Sequence, residues 1–292
     1  MLSIVTTLVL AKLIATIQEP PLYRIEPFTL ANVKAFGERG ADIRTPDGPG
    51  WKWIYRAAYD GNSEILRYLL EAGVPATADL GGGTTALYTV AYMSHLPKRD
   101  NIGSASVLVA NGADVNAFNP WSGDTPLLAL ARCGDPRLAA YLISKGAQSN
   151  TLNKLGESPL FRTIDAWNSP WSVHNYEMVR VLLEGGASPV QTLDVQYPVH
   201  SRGVMPIHVA AYMGLDKVME LMVKDTNILN VQKPDGQTPL HVAALRDSNV
   251  RVARVLMRAG ASRDITDSDG ETPVDIAMRK HNTKVLTVLR QH

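Results

Sequence analysis

The chain has 292 residues, a net charge of +1, 45% hydrophobic and 20% charged residues, and one cysteine. That balance is ordinary for a folded, water-soluble chain, and it leaves no basic stripe of the kind nucleic acid demands, so nucleic acid is not expected as a partner. The lone Cys133 excludes an intramolecular disulfide without deciding the redox compartment. Set between Arg132 and Gly134, it reads as a small filler residue, because no base partner for a reactive thiol can be placed.

Residues 1–27 carry two readings. The apolar run at 1–11 is like the core of a secretory signal, but no basic residue precedes it, Lys12 interrupts it and no A-x-A site follows. It is too short and too interrupted to span a bilayer. The favoured alternative is a capping helix over residues 2–17, packed on residues such as Val33 and Phe36 and stopped by Pro20-Pro21. A cap places the chain in the cytoplasm. A signal makes it secreted or periplasmic, and only then is a membrane involved.

From residue 28 the chain is periodic. Residues 30–43 read as a second helix ending at Gly40, the tail of an incomplete unit. Units then start near 52, 85, 125, 158, 205, 238 and 272, at intervals of 33, 40, 33, 47, 33 and 34 residues. The motif is clearest in Thr238-Pro239-Leu240-His241-Val242-Ala243-Ala244. It recurs as Met205-Pro206-Ile207-His208-Val209-Ala210-Ala211 and Thr272-Pro273-Val274-Asp275-Ile276-Ala277, and in outline at Ser158-Pro159-Leu160, Thr125-Pro126-Leu127, Thr85-Ala86-Leu87 and Lys52-Trp53-Ile54.

Each unit has a physical reading. A glycine two places before the start (Gly50, Gly83, Gly123, Gly156, Gly203, Gly236, Gly270) marks a tight turn. Thr or Ser before Pro is a helix start, with the hydroxyl as cap and Pro at the first helical position. Paired alanines such as Ala57-Ala58 and Ala210-Ala211 let neighbouring helices approach closely. A second helix follows with apolar residues at helical spacing (Ile65, Leu66, Leu69, Leu70; Val181, Leu182, Leu183) and stops at a glycine: Gly73, Gly112, Gly146, Gly186 or Gly260. No unit can bury its apolar face alone, so neighbours must stack. The last helix, with Lys280, His281, Asn282, Lys284 and Arg290 on one side, is expected to turn that side to water as a terminal cap.

A period of 33 residues with this core motif resembles the ankyrin-repeat family from about residue 28 to residue 292. The resemblance implies an all-α solenoid of helix-turn-helix units with β-hairpin-like turn tips, in units near 28–51, 52–84, 85–124, 125–157, 158–204, 205–237, 238–271 and 272–292. It also implies that His208 and His241 bond the backbone of a neighbouring turn and that Asn116 ties successive loops together. Its functional implication is a surface that binds a protein partner, with a monomeric chain expected. The alternative is an exported protein that binds or inhibits a target outside the cytoplasm.

Two units are long, with extra residues at 94–104 in one and at 168–175 and 190–201 in the other. Loops are where repeat arrays carry individual function, although solenoids also tolerate neutral insertion. Nothing points to an enzyme. The histidines lack ligand spacing, Gly81-Gly82-Gly83 lacks the lysine of a phosphate cradle, and no nucleophile or metalloprotease motif occurs, so neither cofactor nor metal is expected.

The candidate partner-binding residues are Arg56, Tyr59, Tyr92, Trp121, Arg132, Arg162 and Tyr212. Tyr59, Tyr92, Arg132 and Tyr212 lie seven places after a unit start, Arg56 and Arg162 four places after, and Trp121 at a turn tip with Trp51 and Lys233 expected at others. Equivalent helix positions in stacked units point the same way. Tyr, Trp and Arg are the residue types that dominate binding hot spots.

Overall fold

The structure, a computed structural model, describes residues 27–39, 43–44, 49–78, 83–132, 134–166, 175–192 and 203–291. The capping-helix and signal readings of the N-terminal segment, the helix end at Gly40, Cys133 and most of the two insertions in the unit at 158–204 lie outside those residues.

The described residues hold helices and no strand. One series runs α1 (Leu30–Glu38), α3 (Ser63–Glu71), α5 (Asn101–Ala110), α7 (Pro136–Ser144), α9 (Asn175–Glu184), α11 (Asp216–Met222), α13 (Val250–Ala259) and α15 (Thr283–Gln291). The other runs α2 (Pro49–Asp60), α4 (Ala86–Tyr92), α6 (Pro126–Leu130), α8 (Pro159–Asp165), α10 (Pro206–Met213), α12 (Pro239–Ala244) and α14 (Pro273–Arg279). Each helix after α1 packs against its own partner, and equivalent helices of successive units pack on one another, giving two stacked layers, an inner one of even-numbered and an outer one of odd-numbered helices. The chain is an all-α solenoid of helix pairs.

The local chemistry explains the starts and stops. Thr85, Thr125, Ser158, Thr238 and Thr272 each accept the backbone N–H three residues on, satisfying a donor the helix leaves orphaned. The core between the layers draws small and large residues from both, since Leu87, Leu127, Leu160, Ile207 and Leu240 of the inner helices and Ala105, Ala139 and Ala253 of the outer ones are fully buried. Ala57, Ala210, Ala243 and Ala277 are fully buried beside Ile65, Leu69, Leu138, Leu142 and Leu256. Small residues on one side let aliphatic side chains from the other fill the interface at core density.

The turns between units fold as hairpin-like tips. Asn119 N–H donates to the Asp124 carbonyl at 2.8 Å, Asn153 to Glu157 at 3.1 Å, Lys233 to Gln237 at 2.9 Å and Asp267 to Glu271 at 2.9 Å. Neighbouring tips are joined in turn, Lys154 N–H to the Ser122 carbonyl and Ser268 N–H to that of Asp235, both at 2.9 Å. Asn116 bridges loops as expected: its amide donates to the Gly146 carbonyl at 3.0 Å and its oxygen accepts from Gln148 N–H at 2.9 Å. Asn150 repeats the same pair of bonds with Gly186 and Ser188.

Three expectations are corrected. Gly50 is not a turn residue. It sits in the first turn of α2, where a Cβ would lie 2.0 Å from the Ile43 carbonyl oxygen, so its role is close approach. Trp51, expected at a tip, lies in the same helix, half-buried, with its indole N–H donating to the Arg44 carbonyl at 3.1 Å. Asn282 does not face water. It is buried, and its amide donates to the Ala244 carbonyl at 2.8 Å, while Lys280, His281, Lys284 and Arg290 are exposed.

Candidate functional site

The seven candidate residues divide into four settings. The first is a tyrosine ledge on α2 and α4. Tyr59 is half-buried at the end of α2 and Tyr92 at the end of α4, and Tyr92 stacks on Tyr88 at 6.1 Å with nearly parallel rings. Sequence reasoning missed two members. Tyr55 and Tyr88 stand one turn before Tyr59 and Tyr92, so the i, i+4 spacing was the available signal. Burial pushes the Tyr55 hydroxyl up, opposed by its hydrogen bond with Thr89, and the neighbouring Tyr59 and Tyr92 rings add to the rise. Tyr88 is raised further, chiefly by burial and then by the Asp124 charge. Both stay protonated donors at neutral pH. Arg56 lies at the same edge, paired with Asp60 at 2.8 Å and 5.4 Å from the Phe28 ring centroid.

The insertion at 94–104 is what finishes this ledge. Met93 closes α4 and Asp100 caps α5 through Gly103 N–H, so the intervening residues loop outward. The loop is fastened to the α2–α3 turn, with Asp100 N–H donating to the Gly61 carbonyl at 3.2 Å and the Ser63 hydroxyl to the Asp100 carboxylate at 2.7 Å. That attachment lays the Arg99 guanidinium over the Tyr59 ring, 5.1 Å from its centroid.

The second setting is the tip that carries Trp121, which is 74% exposed. The ring stands on a rigid base. The Asn119 side-chain oxygen accepts Trp121 N–H at 2.9 Å and Ser122 N–H at 3.2 Å, and its amide donates to the Thr84 hydroxyl at 2.9 Å. Lys154 Nζ donates to the Pro120 carbonyl, and Gly83 presses against the Pro120 ring with φ +67°, where a Cβ would collide at 1.9 Å. Phe118 at 63% and Leu155 at 45% exposure stand on the same and the adjoining tip. These two also escaped sequence reasoning, since an apolar residue in a turn carries no sign of which way it faces.

The third setting removes Arg162 from the exposed set. Position four of the unit turns inward here, and the guanidinium reaches Asp124 at 2.7 Å and Glu157 at 3.5 Å. Asn153 bridges the same two carboxylates, at 2.9 and 3.0 Å. Burial by itself would depress the Arg162 pKa, but Asp124 and Glu157 outweigh it and raise it, so the cation is permanent. Arg162 is a strut between two tips. Arg132 and Asp165, at equivalent places on neighbouring units, are both exposed. Although Asp165 is exposed as a residue, partial burial of its carboxyl and then the Glu157 charge push its pKa up, while Arg132 and Arg162 pull the other way.

The fourth setting is Tyr212, 44% exposed, with the Arg246 guanidinium over its ring, 4.0 Å from the centroid, and donating to its hydroxyl. Tyr59, Tyr92, Arg132, Asp165 and Tyr212 thus recur at the ends of successive inner helices, whereas Arg162 sits below that row and Trp121 at the tips.

The two motif histidines serve the scaffold. Nε2 of His208 donates to the Gln237 carbonyl and that of His241 to the Glu271 carbonyl, each at 3.1 Å. A carbonyl only accepts, so Nε2 carries the proton and Nδ1 is the acceptor. In His241 Nδ1 accepts the Thr238 backbone N–H at 3.1 Å, completing a capping box, and the Thr238 hydroxyl also meets it at 2.8 Å. His208 has Met205 in that place, and its Nδ1 is buried without a partner. Burial, then the Lys233 charge, lower the His208 pKa to about 4. Among the described residues no group of three His, Cys, Asp or Glu could hold a metal ion, and no helix is long and apolar enough to cross a membrane.

Known proteins agree with this geometry. A family model described as ankyrin repeats (3 copies) matches residues 207–292. NF-kappa-B inhibitor alpha of Gallus gallus is 35% identical over 86 residues, covering 30% of this chain and 26% of its own length. The chain spans about a third or less of the length of the curated relatives it matches. Among solved structures, the ankyrin repeat domain of Bcl-3, a member of the IkappaB family, superposes with a TM-score of 0.65 at 21% identity, over 81% of this chain and 97% of its own. A chain from the complex of a predatory endopeptidase of Bdellovibrio bacteriovorus with an immunity protein superposes with a TM-score of 0.54 at 20% identity, over 72% and 98%.

Proposed function

From the premise that this is an ankyrin-repeat chain, a kind of repeat that generally serves protein–protein interaction, we propose that it holds a protein partner against its concave inner-helix face and turn tips. The anchors are Tyr59, Tyr92, Tyr212 and Trp121, with Arg56 and Arg132 beside them and Arg162 bracing the tips from below. The reading is of a binding module, not an enzyme. Trp121 carries it: a tryptophan 74% exposed on a tip whose backbone is held by Asn119 leaves most of its ring outside the fold. A rigid, exposed aromatic gives contact area at small ordering cost, which is what hot spots require.

A second reading, an exported protein that inhibits an extracytoplasmic target, draws support from the structural neighbour found in a complex between an endopeptidase and an immunity protein, and from the signal-like run at 1–11. Affinity capture from the source cells with the wild-type chain and with Trp121→Ala and Tyr59→Ala/Tyr92→Ala variants tests the main reading. A partner retained by the wild type should be lost by folded variants. Identical capture by all three would refute the proposed face, and the compartment of the captured protein separates the two readings.

A further inference from the structure

The row at the ends of the inner helices has a charge character that the net charge of +1 conceals. Arg99 lies over Tyr59 and Arg246 over Tyr212, at 5.1 and 4.0 Å from the ring centroids. A guanidinium held over a ring keeps its N–H groups as donors, although Arg246 already gives one of them to the Tyr212 hydroxyl. Among the described residues neither arginine forms an ion pair, and neither does Arg132, exposed between them along the row. Arg99 Nη1 is covered from solvent and so out of a partner's reach, which leaves the rest of this half-buried guanidinium for pairing. A charged donor left unmade is costly, and the usual resolution is a carboxylate. Some surface arginines here have found one, as Arg180 holds Glu177 and Glu184, Arg279 holds Glu271 and Arg137 holds Asp135. Among the described residues Arg67, Arg251, Arg254 and Arg258 have not, but they lie on the outer helices α3 and α13, away from this row. Against the three unpaired cations the row offers Asp165, which Arg132 only partly serves.

We infer that this row is built to take an acidic polypeptide segment, whose Asp or Glu carboxylates pair with the edges of Arg99, Arg132 and Arg246 while its apolar residues lie on the tyrosines. The inference rests on the binding-module reading and adds the chemistry of the partner. Three guanidiniums spread over several units match an extended acidic stretch better than a single anion. Two of them are pre-oriented, so binding loses little side-chain freedom.

The test is selection of a random twelve-residue peptide library against the full chain, followed by Kd measurement by fluorescence polarisation. Peptides whose binding is lost on Tyr92→Ala should be enriched in Asp and Glu. Replacing those acids by Asn or Gln, or the protein's arginines in a Arg99→Gln/Arg132→Gln/Arg246→Gln variant, should each weaken binding at least tenfold. The two changes together should cost little more than either alone, the mark of direct pairing. Arg→Lys substitutions at the three sites should retain part of the affinity, and circular dichroism should show every variant folded. Tyr92-dependent peptides without acidic enrichment, or indifferent to the Arg→Gln variant, would overturn the inference while leaving the binding face intact. Failure to select any Tyr92-dependent peptide would overturn both.

Discussion

Met205 stands where its neighbours have a capping hydroxyl, and exchanging it for Thr should stabilise the chain. In the unit at 238 the hydroxyl does two things. It accepts His241 N–H, and it meets the acceptor nitrogen Nδ1 at 2.8 Å. In the unit at 205 the helix starts with no side-chain cap, and Nδ1 of a 2%-exposed imidazole has no partner. A Thr cap contributes about 1 kcal/mol. Giving a buried acceptor its donor adds about 1 kcal/mol more. Met205 is half-buried against the core, so losing its thioether chain returns about 1 kcal/mol of that. The net expectation for Met205→Thr is a gain of about 1 kcal/mol. The sharper comparison is with Met205→Val, which has the shape of Thr and no hydroxyl. Thr should exceed Val by about 2 kcal/mol, read from urea unfolding by circular dichroism at equal m-values. Amide exchange within residues 206–213 locates the effect if the array unfolds in parts. Equal stability of the Thr and Val variants would show that the orphaned nitrogen costs nothing and that the hydroxyl does not cap here.

The same histidine sets a pH dependence. With its folded pKa depressed to about 4, the unfolded chain takes up the proton first as pH falls, so the His208 contribution is complete above about 6.5, drains away down to about 4 and is flat below. The loss is about 3 kcal/mol over that window, seen as a steeper pH dependence of unfolding in the wild type than in His208→Gln; parallel curves would refute it. Arg162→Met should leave Asp124 and Glu157, each about 5% exposed, without their cation and cost about 3 kcal/mol in urea unfolding. A loss under about 1 kcal/mol would mean that the strut is not needed. Gly50→Ala gains helix propensity but places a methyl 2.0 Å from the Ile43 carbonyl, so a net loss of about 2 kcal/mol is expected, and a stabilised variant would show that the approach relaxes freely. Once a partner is in hand, the folded Tyr59→Ala/Tyr92→Ala variant should bind about 2 kcal/mol more weakly by titration calorimetry. Unchanged affinity would move the site off the ledge.

What could be read in the sequence was whatever depends on backbone chemistry near in sequence. Thr125-Pro126 had to cap and start a helix, and Gly112 and Gly146 had to end one, because those requirements are met by one residue type at one position. Gly50 misled because glycine answers two needs. A turn and a backbone contact select the same residue, and only the position of Ile43 tells them apart. Asn282 misled because one polar residue among charged neighbours reads as surface, when an amide can be buried if a carbonyl such as that of Ala244 waits for it.

The proposed binding surface was harder to read for a related reason: exposure is set by the stack and not by the unit. Arg162 and Arg56 occupy the same position in their repeats, yet Arg56 stays at the edge with Asp60 while Arg162 is drawn beneath the tips by two carboxylates. Those carboxylates, Asp124 and Glu157, come from different turns, so no single unit contains the cause. Phe118, Trp121 and Leu155 show the converse. Nothing in their own side chains keeps them out, but Asn119 and Asn153 within those turns and Lys154 between them take the bonds that fix the tips, leaving the apolar side chains no interior to enter. A repeat period therefore fixes where a side chain starts and its neighbours fix where it ends, so the face of such a solenoid becomes legible only when units are read in pairs.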